Sequence, residues 1–223
     1  MCAAEGLLPW RDPTNADTAL TRARVRAVAQ ALSRAGHQVE EIAAAGTGLL
    51  MLVVSPAICG NVIARFGTDE QKNRWLPGLA DGSITMAFGI TEPDAGSNSH
   101  QITTTAARDG SDWVLNGRKV YISGVDQADA VLIVGRTEDA KTGKLRPALF
   151  IVPTDTPGFE YKMIEMELVN PEKQFQLYLD DVRLPADALV GSPDAALSQL
   201  FAGLNPERIM AAASAVGMGR FAL

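Results

Sequence analysis

The spacing of apolar residues changes twice along this chain. From Thr18 to Gly82 they recur every three or four residues. In TALTRARVRAVAQALSRAG, Leu20, Val25, Val28 and Leu32 fall near one face, arginines mostly on the other, and Gly36 supplies a stop, which predicts an amphipathic helix. SPAICGNVIARFG predicts a second helical stretch, with Pro56 in its first turn and Gly67 at its end. Thr68 followed by Gln71 makes a capping box and opens a short helix through DEQKNRW, predicted to end near Pro77. The greasy run LLMLVV meets Ser55 and Pro56 at once, far short of the roughly 20 apolar residues of a membrane span, so it reads as a buried helix. AAAGTGLL fits a helix or a loop equally well.

From Ser83 to about Pro185 the period becomes two. SITMAFGI, QITTTAARDG, DWVLNG, RKVYISG, ADAVLIVGRT, PALFIVP, FEYKMIEMEL and QFQLYLDDVRLP are each predicted as strands bounded by turn residues. Asp109-Gly110 and Asn116-Gly117 are predicted as type I′ hairpin turns, because both dipeptides tolerate positive φ. Strands joined by short turns, with no helices between them, predict an antiparallel sheet or barrel and argue against a Rossmann unit.

From Ser198 the pattern is helical again. Pro206 stands just before ERIMAAASAVGMGRFAL, where a proline suits the first turn of a helix. That helix is lined with Ala, Gly and Ser and reaches Leu223 without a cap or a polar exit, so the chain reads as cut there. The predicted class is therefore α+β: a helical N-terminal domain over 1–82, itself incomplete, a middle β-domain over 83–196, and the beginning of a C-terminal helical domain over 197–223.

Charge and composition narrow the function. The balance of 20 basic against 26 acidic residues gives a net charge of −6, which argues against a nucleic-acid surface. With two cysteines (Cys2, Cys59) and two histidines (His37, His100), the chain has almost no raw material for a zinc site, and no metal is expected. MCAAEGLLPWRDPTNAD lacks the basic and apolar regions of a secretory signal, so the default compartment is cytoplasmic and no membrane partner is expected.

The sharpest chemical signal is GITEPDAGSNSH, which follows a predicted strand. Consecutive amides at Gly96 and Ser97 can hold an anion, Thr91 can bond a ring heteroatom, and Pro93 stiffens the turn. Ordinary loops use the same residues, so the stretch alone leaves both readings open.

MAFGITEPDAGSN, ITTTAARDGSDWVLNGRKVYISG, ADAVLIVGRT, FQLYLDDVRLPADALVG and GLNPERI, taken in order, resemble the acyl-CoA dehydrogenase family. The resemblance runs from about Phe66 to the C-terminus and is weak before about Gly36. It implies a helical N-terminal domain, a middle β-domain and a C-terminal four-helix domain, with FAD between the β-domain and helices. It also implies α,β-dehydrogenation of an acyl-CoA in fatty-acid β-oxidation, with electron-transferring flavoprotein as acceptor and a homo-tetramer as the assembly. Acyl-CoA oxidases and flavin monooxygenases share the β-domain, and a non-catalytic remnant or assembly subunit is a further alternative. The isolated chain is expected to be inactive.

The same resemblance assigns roles to residues. Phe88, Ile90, Thr91, Gly96 and Ser97 are implied to bind the flavin, with Thr91 on the isoalloxazine and Gly96 and Ser97 near the pyrophosphate. Ser97 is also implied to touch the acyl-CoA. Tyr121, Ile122 and Ser123 are implied as a second flavin segment, and Asn205 and Arg208 as substrate contacts. In much of the family the catalytic glutamate lies late in the C-terminal domain. In some members it opens the first C-terminal helix, where Glu207 stands in NPERI, and both placements stay open.

Overall fold

A computed structural model describes residues 54–139, 142–167, 172–192 and 196–222. The helix predicted over Thr18–Gly36, the AAAGTGLL segment and most of LLMLVV lie outside these residues.

The chain enters through a π-helical turn, Val54–Gly60, that runs directly into α1, Asn61–Phe66. Pro56 is the third residue of that π-turn, and Gly67 ends α1 as expected. α2 spans Asp69–Asp81 behind the predicted capping box: Thr68 Oγ1 accepts from Gln71 N at 3.2 Å, and Gln71 Oε1 accepts from Thr68 N at 2.9 Å. α2 does not stop near Pro77. That proline lies inside the helix, which continues to a left-handed Gly82. The missing N–H and the ring disfavour an interior proline, but packing of Trp75 into the helix-side core retains the helix around it.

Among the described residues eight strands form one sheet: β1 Met86–Gly89, β2 Thr105–Asp109, β3 Asp112–Ser123, β4 Ala130–Glu138, β5 Leu145–Pro153, β6 Phe159–Ile164, β7 Gln174–Leu184 and β8 Leu189–Val190. Their order is β6-β7-β3-β2-β4-β5-β8, with β1 beside β4. Most neighbours are antiparallel, as expected. β1 and β2, however, both lie parallel to β4, over Ala130–Ile133 and at Arg136 respectively. β4 returns beside β1 after the β2–β3 hairpin has intervened, so the crossover runs in the parallel sense.

Two predicted turns resolve differently. Asp109-Gly110 does open a two-residue hairpin, but of its loop residues Gly110 alone has positive φ (64°), the type II′ pattern and not type I′. Asn116-Gly117 makes no hairpin at all. DWVLNG and RKVYISG are one 12-residue strand, and the dipeptide sits at a shift in its pairing with β7.

The central strands are buried on both faces, and alternation sorts their side chains into two cores. Val131 and Ile133 of β4, with Phe150 and Val152 of β5, point into a barrel-like core with Trp113, Leu115, Leu177 and Val182. Leu132, Val134, Leu149 and Ile151 point the other way and meet Ile58, Val62, Ile63 and Trp75 of the helical layer. α3, Ala196–Ala222, packs on the π-turn, α1 and β5. A side chain at Gly203 would come within 2.8 Å of Val62, so glycine permits that approach. α3 is one helix of 27 residues and does not start at Pro206, because turns on the N-terminal side of the proline are held by buried Leu200 and Ala202. No helix among the described residues is long and apolar enough to cross a membrane.

Candidate functional site

β1 and β2 share one edge of β4, and the segment Ile90–Thr104 connects them. Glu92 and Ala95 pair through both backbone groups at 3.1 Å, which folds Glu92–Ala95 into a tight turn with Pro93 and Asp94 exposed at its tip. Ala95 is buried against the helix-side core, so the turn is pinned from below. Gly96 and Ser97 follow on the exposed side, and a Cβ at Gly96 would meet no atom within 4 Å.

The second predicted segment lies alongside. Val120 N donates to Thr91 O at 2.9 Å, so the loop and β3 are directly joined. Between Lys119 and Ile122 the strand carries one residue more than β7. This bulge places Tyr121 in the left-handed region, φ 58°, a conformation that costs an L-residue about 1–3 kcal/mol. Alternation alone would turn Tyr121 to the same side as Lys119; the extra residue sends Ile122 into the core instead and leaves Tyr121 61% exposed.

A buried ion pair underlies both segments, and the motif reading did not assign either partner. Lys119 is fully buried, and its Nζ donates to Glu92 Oε1 at 2.8 Å, Val134 O at 2.6 Å and Ile90 O at 3.2 Å. The Glu92 carboxylate also accepts from the amide and hydroxyl of both Thr103 and Thr104 at 2.6–3.0 Å. Burial opposes ionisation of Glu92. The hydrogen bonds from Lys119 and Thr104, the Lys119 charge and the Thr103 amide outweigh it and hold the carboxyl at about 2. Burial lowers Lys119 to about 8 against the pull of Glu92. Removing one partner of such a pair costs about 3–5 kcal/mol, since the other charge is left buried alone. The available signal was a lysine at an inward-pointing position of a strand, two residues from Gly117.

The remaining candidates divide into two groups. Phe88 and Ile90 are half-buried and pack on the helix-side core. The Ser123 hydroxyl donates to Gln174 Oε1 at 3.1 Å and accepts from Gln174 Nε2 at 2.8 Å, so it has a partner within the chain. Asn205, Glu207 and Arg208 ride on α3, where Arg208 Nη1 donates to Asn205 Oδ1 at 3.1 Å. Glu207 lies in the interior of α3 and not in a first turn, so a favourable interaction with the helix N-terminus does not explain it. Cys59 is fully buried with Sγ 3.4 Å from Ala87 O; burial raises its thiol pKa and makes it a poor nucleophile. Among the described residues no three His, Cys, Asp or Glu gather to hold a metal ion.

The acyl-CoA dehydrogenase N-terminal domain matches residues 24–83 and the acyl-CoA dehydrogenase middle domain matches residues 87–182. The chain belongs to the acyl-CoA dehydrogenase family. It is 78% identical over 185 residues to the acyl-CoA dehydrogenase FadE12 of Mycobacterium tuberculosis, a span of 83% of this chain and 48% of the relative. A glutaryl-CoA dehydrogenase from Mycobacterium smegmatis, solved in complex with FADH2, matches with a TM-score of 0.74 at 38% identity, over 83% of this chain and 47% of that one. Butyryl-CoA dehydrogenase from Megasphaera elsdenii matches with a TM-score of 0.73 at 30% identity, over 80% and 47%. This acyl-CoA dehydrogenase chain thus spans about half the length of the curated relatives it matches.

Proposed function

We propose that the chain is part of an FAD-dependent acyl-CoA dehydrogenase that converts an acyl-CoA thioester to its enoyl-CoA. The observation that carries this reading is the backbone bond from Val120 to Thr91, which sets an exposed aromatic, Tyr121, next to a loop of open amides and hydroxyls. The residues present suit such a cofactor. The hydroxyls of Thr91 and Ser97 make no hydrogen bond among the described residues, and the space beside Gly96 is open. A flat aromatic packs on a flat ring, and hydrogen bonds near flavin nitrogens tune its reduction.

In this reading Thr91 bonds the ring, Gly96 and Ser97 hold the pyrophosphate, and Tyr121 lies against the ring system. Phe88, Ile90, Ser123 and the backbone of Ile122, whose side chain points into the core, complete its surroundings. FAD, when bound, supplies the acceptor for the hydride leaving the β-carbon. Glu207 is the proposed base that takes the α-proton, a role requiring a carboxylate in a water-poor pocket. Ser97, Asn205 and Arg208 are the proposed contacts for the acyl-CoA.

The division into domains at 1–82, 83–196 and 197–223 is proposed on the change of sequence texture at Ser83 and Ser198. Electron-transferring flavoprotein as acceptor, a homo-oligomeric assembly and a cytoplasmic location belong to the same proposal. The reaction is assigned to the whole enzyme, and the 223-residue chain by itself is expected to reduce a dye acceptor little or not at all.

The test has two arms. FAD titrated into the purified chain, followed by flavin fluorescence, is expected to saturate; no binding would count against the cofactor assignment. The complete enzyme, mixed anaerobically with acyl-CoAs, is expected to lose flavin absorbance as enoyl-CoA appears. Peroxide formed in air in proportion to enoyl-CoA would replace the dehydrogenase reading with an oxidase.

A further inference from the structure

We propose that Lys119 and Glu92 are positioning residues for the proposed flavin site: their buried pair locks the Thr91–Ser97 loop to the bulge that displays Tyr121. The proposal rests on the reading of that site as a flavin cradle, but the lock itself is read from the chain's own geometry.

The ammonium of Lys119 has three N–H groups, and three different places in the fold take them. Ile90 O belongs to the entry of the loop, Glu92 Oε1 to its first turn, and Val134 O to the middle of β4. The carboxylate of Glu92 gathers the other end of the same segment. Its Oε2 accepts from Thr103 N at 2.6 Å and Thr103 Oγ1 at 2.8 Å, and its Oε1 from Thr104 N at 3.0 Å and Thr104 Oγ1 at 2.6 Å. Entry and exit of the loop are therefore clamped on one carboxylate, and Pro93–Ile102 is a closed excursion between them. That excursion carries Gly96 and Ser97.

The other jaw is β3. Lys119 is the last residue before the extra residue of the bulge, since its partner on β7 is Leu177 while that of Ile122 is Phe175. Its buried ammonium fixes where the bulge begins, and Tyr121 follows two residues later with φ 58°. The bond from Val120 N to Thr91 O closes a small circuit of Thr91, Glu92, Lys119 and Val120. A side chain that served packing alone would not need an ammonium with every donor used. The cost of burying both charges is offset by bonds that run between the two cofactor-facing segments.

The pair stands apart from the exposed face. Lys119 has 0% and Glu92 3% of its side-chain surface accessible, so neither is offered as a ligand contact. Their action on a bound flavin would pass through Thr91, Gly96, Ser97 and Tyr121.

Three variants of the full chain test this: Lys119→Met, Glu92→Gln and the double Glu92→Gln/Lys119→Met, which removes both charges while keeping similar volume. Each is measured by urea unfolding, by FAD titration and by hydrogen exchange at the hydrogen-bonded amides of Ala95 and Val120. Lys119→Met is expected to weaken FAD binding by roughly tenfold or more, as misplacement of a preorganised site does. It is also expected to speed exchange at Ala95 and Val120 while β4 and β5 stay protected. The double variant is expected to regain stability without regaining FAD affinity, and it remains informative where Lys119→Met fails to fold. Affinity that recovers in step with stability in the double variant would reduce the pair to a structural role and overturn the proposal. Unchanged exchange in both segments would overturn it as well. Wild-type chain that takes no FAD would sink the flavin reading, and the exchange measurement would still decide the lock.

Discussion

Asn116 and Asp181 exchange two hydrogen bonds across β3 and β7: Asn116 Nδ2 donates to Asp181 Oδ1 and Asp181 N donates to Asn116 Oδ1, each at 2.9 Å. Here β7 carries the extra residue, because Leu115 pairs with Val182 and Gly117 with Leu179. Asp181 takes φ 48°, and Asn116 Oδ1 supplies a partner for the Asp181 amide at the bulge, while the second bond joins the two side chains.

Asn116→Ala is expected to lower stability by about 0.5–1.5 kcal/mol, the usual worth of a hydrogen-bonded pair of this exposure. Gly117→Ala is expected to cost more, because its Cβ would fall 2.5 Å from Thr104 Oγ1 and 2.7 Å from Thr104 Cα. Urea midpoints of the two variants check the order. Equal midpoints would show that the close approach of Thr104 to β3 is not needed.

Gln71 ties α2 to the sheet edge. It is 4% exposed, and its Nε2 donates to Asp187 O at 2.6 Å and Leu189 O at 3.0 Å. Gln71→Leu is expected to destabilise the chain by about 1–3 kcal/mol, since two part-buried carbonyls lose their donor and the Thr68 amide loses its side-chain cap. Thermal unfolding gives the size, and faster exchange at Val190 N–H would locate the loss at β8.

Acid is expected to act on Glu92. Its carboxyl is held at about 2 in the folded chain against an ordinary 4.5. Between those values the unfolded chain binds more protons, so this group's contribution is full above about 4.5 and is lost as pH falls toward 2. Unfolding free energy measured from pH 6 down to pH 2 should fall less steeply in the Glu92→Gln/Lys119→Met variant. Parallel curves would place the acid sensitivity elsewhere.

Tyr121→Gly is expected to separate fold from function. Glycine adopts φ 58° without strain, so stability should hold or rise by about 1 kcal/mol. FAD affinity should fall, because the exposed ring is gone. An affinity equal to that of the wild-type chain would remove Tyr121 from the cofactor site.

Much of this fold is legible in the spacing of apolar residues. Thr68 and Gln71 announce the cap of α2, and ADAVLIVGRT and PALFIVP fall on the two central strands. Failures cluster where a local signal has two uses. Asn-Gly serves a hairpin or a bulge, and the choice at Asn116 depends on Asp181, 65 residues away. Pro77 and Pro206 announce helix ends by their chemistry, but tertiary packing carries both helices past them. The loop at Thr91–Ser97 is visible as a motif, whereas Lys119 lies inside a strand, and nothing in one strand reports what its inward face will meet.

By itself the sequence determined the order of helical and strand regions, the position of the chemistry-bearing loop and the family resemblance. These follow from periodicity, capping and turn chemistry, which act over a few residues. Tertiary structure alone decided that β1 and β2 run parallel to β4, that Tyr121 faces outward, and that Glu92 and Lys119 meet in the interior. Each depends on burial and hydrogen bonding between segments distant in the chain, where a buried charge is tolerated because a specific partner arrives to meet it.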